Sequence, residues 1–157
     1  MNLFKNMSLL LIIFYASTSY AANNLKFENT WSPEAPPVAK VMAGYMIITN
    51  SGTKDVHIVS AKSPLFKKVE IHLTQMKNGM MTMVKQENLT IKAKSYIELK
   101  PGGLHMMLMG KLKKISAGSA IPVTLTFDHD ETVSIKLKIK TDRQPKMKCG
   151  SGKCGSM

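Results

Sequence analysis

The sequence predicts a single all-β domain, built as an antiparallel sandwich or barrel. Its 157 residues fit one domain, because domains usually hold about 100–200 residues. Short runs of alternating apolar and polar residues recur between Gly, Pro and Asn turn signals, which is typical of strands. No segment carries a convincing helical stripe of three turns. Many short strands at this spacing favour a sandwich or a barrel.

Seven runs alternate clearly enough to be predicted as strands, and turn signals separate several of them. The tail from Gln144 onward has no apolar pattern and is predicted to be flexible, which leaves residues 22–143 as the folded domain. The predicted strands are Gly44–Thr49, Val56–Ala61, Val69–Thr74, Ser95–Leu99, Leu104–Met109, Pro122–Phe127 and Thr132–Ile139. The turn signals are Asn50-Ser51-Gly52, Asn78-Gly79 and Pro101-Gly102-Gly103.

The N-terminus has the pattern of an export signal. Lys5 is followed by an apolar run from Ser8 to Ala16, which is too short to span a bilayer. Small residues at Ser19 and Ala21 predict cleavage after Ala21, so that residues 1–21 form a signal peptide. No Cys lies at that position, so no lipid anchor is expected there. We therefore expect a periplasmic protein in an oxidising compartment.

The composition narrows the function classes. The chain carries 22 Lys+Arg against 10 Asp+Glu, a formal net charge of +12, which suits a solvated face or steering toward an acidic partner or an anionic membrane surface. Aromatic residues make up only 6%, which argues against a nucleic-acid-stacking surface.

Methionine is unusually frequent in this sequence, with 13 residues. Met42, Met46 and Met106 lie among apolar neighbours and are predicted to be core residues.

Other methionines share strand faces with histidines. In Val69–Thr74, His72 falls opposite the apolar face, and in Leu104–Met109 the residues His105 and Met107 fall on one face, about 6.6 Å apart along the strand. Met83 follows the Asn78-Gly79 turn on a third strand. Imidazole with uncharged thioether suits Cu(I) better than Zn²⁺, Mg²⁺ or Ca²⁺. Periodicity alone leaves a metal site and solvated histidines about equally favoured.

The spacing of these residues resembles a known motif. His72, Met83, His105 and Met107 read His-x10-Met-x21-His-x-Met, which resembles the motif of the periplasmic PCu(A)C-type copper chaperones. The segment Leu99–Gly110, with its Pro-Gly-Gly-Leu-His-Met-Met-Leu-Met core, is similar to that family's segment around the second histidine. Trp31-Ser32-Pro33, followed by Ala43–Asn50, resembles that family's N-terminal strands, and the likeness runs roughly from Leu25 to Lys140.

The resemblance implies a cupredoxin-like antiparallel Greek-key β-sandwich that is not an enzyme. It implies one Cu(I) near the surface, bound by His72, Met83, His105 and Met107. It further implies copper delivery toward the dinuclear copper site of cytochrome c oxidase, alongside a Sco-type thioredoxin-fold protein. A second site that binds Cu(II) is left open.

The tail contains a second set of soft groups: Cys149 and Cys154, with Met147 and Met157. The two cysteines are separated by four residues, which differs from the Cys-x-x-Cys pattern. Three interpretations stay open: a small-loop disulfide, an auxiliary copper clamp, or an inert pair.

Two other functions compete with copper carriage. A copper electron-transfer protein of the blue type would need a Cys beside its histidines, whereas both cysteines lie in the tail. The other is a secreted β-sandwich that binds no metal and in which the methionines only pack. We find no Ser-His-Asp arrangement, phosphate loop or paired-carboxylate signature that would indicate hydrolysis.

Overall fold

The structure, a computed structural model, describes residues 24–116, 118–128 and 131–141. Within these ranges no helical segment has the length and apolar character needed to cross a lipid bilayer. Several predicted features lie outside the described residues, namely the signal peptide, both domain boundaries and the tail with Met147, Cys149, Cys154 and Met157. His129 also lies outside them. The strands are β1 (Leu25–Pro33), β2 (Val41–Asn50), β3 (Val56–Lys62), β4 (Phe66–Lys77), β5 (Met80–Lys85), β6 (Leu89–Ile91), β7 (Ser95–Leu99), β8 (Leu104–Lys111), β9 (Ala120–Phe127) and β10 (Thr132–Lys140).

Seven of these strands close into a mixed barrel in the order β4-β8-β2-β1-β10-β9-β3, and β3 pairs back to β4. The strands β5, β6 and β7 are added to β4, β3 and β2. The prediction of one all-β domain is confirmed. The expected sandwich is instead a closed barrel, and the all-antiparallel expectation is wrong where β1 runs parallel to β10. The cupredoxin-like Greek-key connectivity stays a prediction.

The parallel pair has a simple physical reason. β1 and β10 are the first and last strands of the described chain, so no hairpin between them imposes opposite directions. Pairing them closes the barrel and leaves no open edge at that point. Closure therefore depends on two distant segments, which strand alternation alone does not relate to each other.

The core occupies the barrel interior and uses the inward residues of each alternating strand. Met42, Met46 and Met106 are at most 6% exposed, which confirms their predicted role in packing. Gly44 allows the close approach of β2 to β10, since a Cβ there would lie 2.8 Å from Cδ1 of Leu137. The remaining fully buried side chains include Ile48, Leu99, Leu108, Ile121, Leu125 and Phe127.

The β4–β5 hairpin is joined by the predicted Asn78-Gly79 turn. Both residues have positive φ values, 51° and 75°, as a two-residue type I′ turn requires. The turn sets the hairpin register, in which Met81 lies opposite Met76 and Met83 lies opposite Thr74. Met83 is thereby placed one strand away from the histidine of β4.

Candidate metal centre

The two candidate histidines lie directly opposite each other on neighbouring strands. His72 of β4 pairs with His105 of β8, and residues that pair in this way project from the same face of a sheet. Their ring centroids are 6.2 Å apart. Bonds from an imidazole nitrogen to zinc are about 2 Å long, so one ion of similar size has room between the rings.

The two candidate sulfur ligands flank this pair. Met107 follows two residues after His105 on the same face of β8, and Met83 stands on β5 beside β4. A pocket of about 360 Å³ is lined by Met83, His105 and Met107. His72 is not among the lining residues; its ring lies beside that of His105, with the two centroids 6.2 Å apart. The other lining residues are Val41, Met42, Ala43, Tyr45, Thr74, Met81 and Gly102.

The imidazoles are more enclosed than the sequence suggested. His105 is only 7% exposed and the His72 side chain 15%, whereas Met83 is 59% exposed. The physical reason is that β4 and β8 both have paired strands on either side, so neighbouring side chains cover the rings. The imidazoles of His72 and His105 are therefore enclosed, whereas the side chain of Met83 is open to solvent.

His105 is held in one orientation by its own strand. Its Nδ1 lies 2.9 Å from the backbone carbonyl oxygen of Gly103. A carbonyl oxygen can only accept, so Nδ1 carries the proton and donates. The lone pair of a neutral His105 ring is then on Nε2 and is free to bind a metal.

His72 is held by a carboxylate. Its Nε2 lies 3.0 Å from Oε2 of Glu70, and Nζ of Lys68 lies 2.8 Å from Oε1 of the same carboxylate. The hydrogen bond from Lys68 and then that from His72 lower the pKa of Glu70 from 4.5 to about 2. Glu70 is therefore ionised at neutral pH and accepts the proton of Nε2.

This arrangement leaves the other nitrogen of His72 unpaired. Among the described residues, Nδ1 is buried and has no hydrogen-bond partner. A buried nitrogen without a partner is costly unless something binds it. With Nε2 donating to Glu70, Nδ1 carries the lone pair that a metal would use. This role of Glu70 was not predicted, although its position two residues before His72 on the same strand face was a signal.

The thioethers of Met83 and Met107 are the further donor groups that line the pocket with His105. Across the part of the chain that the structure describes, no group of three or more His, Cys, Asp and Glu residues is arranged to hold a metal ion. Two imidazoles with two thioethers make a soft, uncharged donor set, which suits Cu(I). The remaining described histidine, His57, lies on β3 with its Nδ1 2.8 Å from Oγ1 of Thr90, away from these residues.

Comparison with known proteins identifies the family. Residues 25–139 match the family described as "Putative lipoprotein LpqE-like". The chain belongs to the LpqE-like family. A relative from Leifsonia xyli subsp. xyli, "Putative lipoprotein Lxx21020", is 31% identical over 120 residues, which cover 76% of this chain and 71% of that protein. The Rickettsia prowazekii protein RP573 is 28% identical over 101 residues, 64% of this chain and 56% of its own length.

Solved PCuAC domains have the same fold. The solution structure of CuI-DR1885 from Deinococcus radiodurans is 25% identical, with a TM-score of 0.60 over 81% of this chain and 85% of that chain. The apo PCuAC domain from PmoF1 is also 25% identical, with a TM-score of 0.64 over 78% of this chain and 98% of that one. The copper-bound PCuAC domain from PmoF2, 23% identical with a TM-score of 0.65 over 78% and 97%, supports the fold alone. The resemblance to PCuAC domains is thus confirmed.

Proposed function

We propose that this protein is a copper chaperone, not an enzyme, that binds one Cu(I) through His72, Met83, His105 and Met107. One observation carries the proposal. Among the described residues, His72 and His105 face each other and each keeps one ring nitrogen without a hydrogen bond, and the thioethers of Met83 and Met107 line the pocket beside His105. Soft neutral ligands of this kind favour a monovalent soft ion.

The uneven exposure of the ligands suits a carrier. The enclosed imidazoles hold the ion in place, while the exposed sulfur of Met83 is free to exchange with a ligand from a partner. Thioether has no proton to lose and forms no disulfide, so it stays available in an oxidising compartment. The fold shared with the Cu(I)-loaded DR1885 structure supports the same conclusion.

The destination of the copper is a further part of the proposal. The delivery target is the copper-bearing subunit of cytochrome c oxidase, with a Sco-type thioredoxin-fold protein acting alongside. The proposed compartment is the periplasm, and the lipoprotein description of the family supports export. The net charge of +12 suits docking on an acidic partner, while the aromatic content of 6% argues against a nucleic-acid-stacking surface.

Anaerobic Cu(I) titration of the purified protein tests the site. The barrel site should bind one equivalent, and X-ray absorption of protein that lacks the residues after Lys140 should count two nitrogen and two sulfur neighbours. Met83→Ala and His105→Ala should each weaken binding strongly. Unchanged affinity in both variants would reject the ligand assignment, and an intense blue colour with Cu(II) would favour an electron-transfer protein. Failure to bind copper at all would favour a β-domain that binds no metal.

The tail enters as a separate proposal. We propose that Cys149 and Cys154, with Met147 and Met157, act as an auxiliary copper clamp. Deleting the residues after Lys140 and counting bound copper tests this proposal. An unchanged stoichiometry would remove the clamp and leave the site on the barrel as the whole binding capacity.

A further inference from the structure

A second group of sulfurs lies outside the four proposed ligands, on the β4–β5 hairpin. Met76, Met81 and Met83 are 69%, 68% and 59% exposed. Met76 and Met81 are cross-strand partners, and Met83 stands two residues beyond Met81 on the same strand. Alternation and pairing place all three on one face of the hairpin. This face is continuous with the one that carries His72 and His105.

Packing does not account for these methionines. A Met used as core filler is buried, as Met42 and Met106 are here. The three hairpin methionines leave most of their surface in solvent and so contribute little hydrophobic stabilisation. Met81 also lines the same pocket as Met83, His105 and Met107. Besides Met83 and Met107, two further methionines therefore line the pocket, the buried Met42 and the exposed Met81.

We propose that Met76, Met81 and Met83 form an outer Cu(I) station through which the ion enters and leaves the inner site. Cross-strand partners have Cβ atoms about 5 Å apart, and long, flexible Met side chains can bring their sulfurs together on one ion. Met83 belongs to both sites. It stays bound while the bonds from Met76 and Met81 break and those from the imidazoles and Met107 form.

This transfer is a ligand exchange in which copper stays Cu(I) and no proton or electron moves. The outer station has three uncharged thioethers and no imidazole, so it holds the ion more weakly than the inner site does. A weak station near the surface raises the local concentration of the ion beside the inner site. The inference rests on the proposed function, because it requires an inner site to fill.

The hairpin provides a matched control. Met80 is 67% exposed on the same strand but pairs with Lys77 and projects from the opposite face. The double variant Met76→Leu with Met81→Leu removes the outer sulfurs and keeps their volume and apolar character. Met80→Leu removes an equally exposed sulfur that the proposal does not use.

Stopped-flow transfer of Cu(I) to and from bicinchoninate under anaerobic conditions gives the test. The double variant should load and release copper about threefold or more slowly, with its equilibrium affinity for one Cu(I) unchanged. Met80→Leu should keep wild-type rates. Wild-type rates in the double variant, or equal slowing in Met80→Leu, would overturn the outer station and leave the inner site intact. A wild type that binds no Cu(I) would instead remove both proposals.

A direct measurement uses methionine methyl signals in NMR. Ag(I) is added as a soft monovalent probe to protein that already holds one Cu(I). The methyl signals of Met76 and Met81 should shift while that of Met80 stays in place. Shifts at Met80 alone, or at none of these methyls under saturating Ag(I), would contradict the proposal.

Discussion

Met106 and Met107 are neighbours on β8, yet they belong to opposite sides of the barrel wall. Met106 is completely buried and packs in the core, while Met107 lines the outer pocket beside His105. The strand pleat alone separates them, because successive side chains point to opposite faces. The methionines therefore form two populations: one that is buried and stabilises the fold, and one whose side chains lie on the outer face.

Burial distinguishes the two populations where composition does not. A fully buried methionine contributes about 1.5–3 kcal/mol of hydrophobic stabilisation, whereas an exposed one contributes little. The methionines at the outer face, and those of the hairpin in particular, need a reason other than folding.

The largest effect is expected from Met106→Ala. It should lower the free energy of unfolding by about 2–5 kcal/mol, because it leaves a cavity in a closely packed barrel. Urea denaturation at constant m-value gives the measurement. The protein that remains folded should still bind Cu(I). A loss below about 0.5 kcal/mol would mean that the core does not depend on this side chain.

Met107→Leu should show the reverse pattern. We expect the affinity for Cu(I) to fall about tenfold, equivalent to about 1.4 kcal/mol, because one soft ligand is lost while side-chain volume is kept. The free energy of unfolding should fall much less than it does in Met106→Ala. Competition with a Cu(I) chelator gives the affinity. Met106→Leu is the matched control and should bind as wild type; if it weakened Cu(I) binding as much as Met107→Leu, the division between the two faces would be wrong.

Glu70→Gln should have the smallest effect of the three. The amide oxygen can still accept from Nε2 of His72, but the negative charge that also holds Lys68 is gone. Loss of a residue that orients a metal ligand typically lowers metal affinity about 10–100-fold. Glutamine keeps one acceptor oxygen, so Glu70→Gln should lower the affinity for Cu(I) less than about tenfold. Imidazole ¹⁵N shifts should show His72 occupying both tautomers in the variant. One unchanged tautomer together with unchanged affinity would show that Glu70 does not position the ring.

Much of the site was predictable from the sequence because its parts are local. Alternation places His105 and Met107 on one face of β8, and the Asn-Gly pair predicts the turn that brings Met83 back beside β4. The mixture of imidazole and thioether indicated Cu(I), and the resemblance of the four-residue spacing to the PCu(A)C motif supported the same hypothesis. The paired register of His72 with His105 and the depth of their burial are products of strand pairing, which no single segment specifies.

The missed elements have identifiable causes. β1 contains a bulge, with Asn29 at a φ of 49° and a register shift between Glu28 and Trp31. A bulge interrupts the period of two that a strand prediction needs. β6 is only three residues long, too short for a periodic signal. The pairing of β1 with β10 closes the barrel. These two strands are far apart in the sequence, and the alternation of apolar and polar residues within each strand does not predict that they pair.

The turn at Asn78-Gly79 has a chemical consequence. A slip of one residue in the hairpin register would invert every side chain on β5. Met80 and Val84 would then point toward the imidazoles, and Met81 and Met83 would point away. The left-handed backbone of two small residues thus determines which sulfurs lie on the same face as the imidazoles.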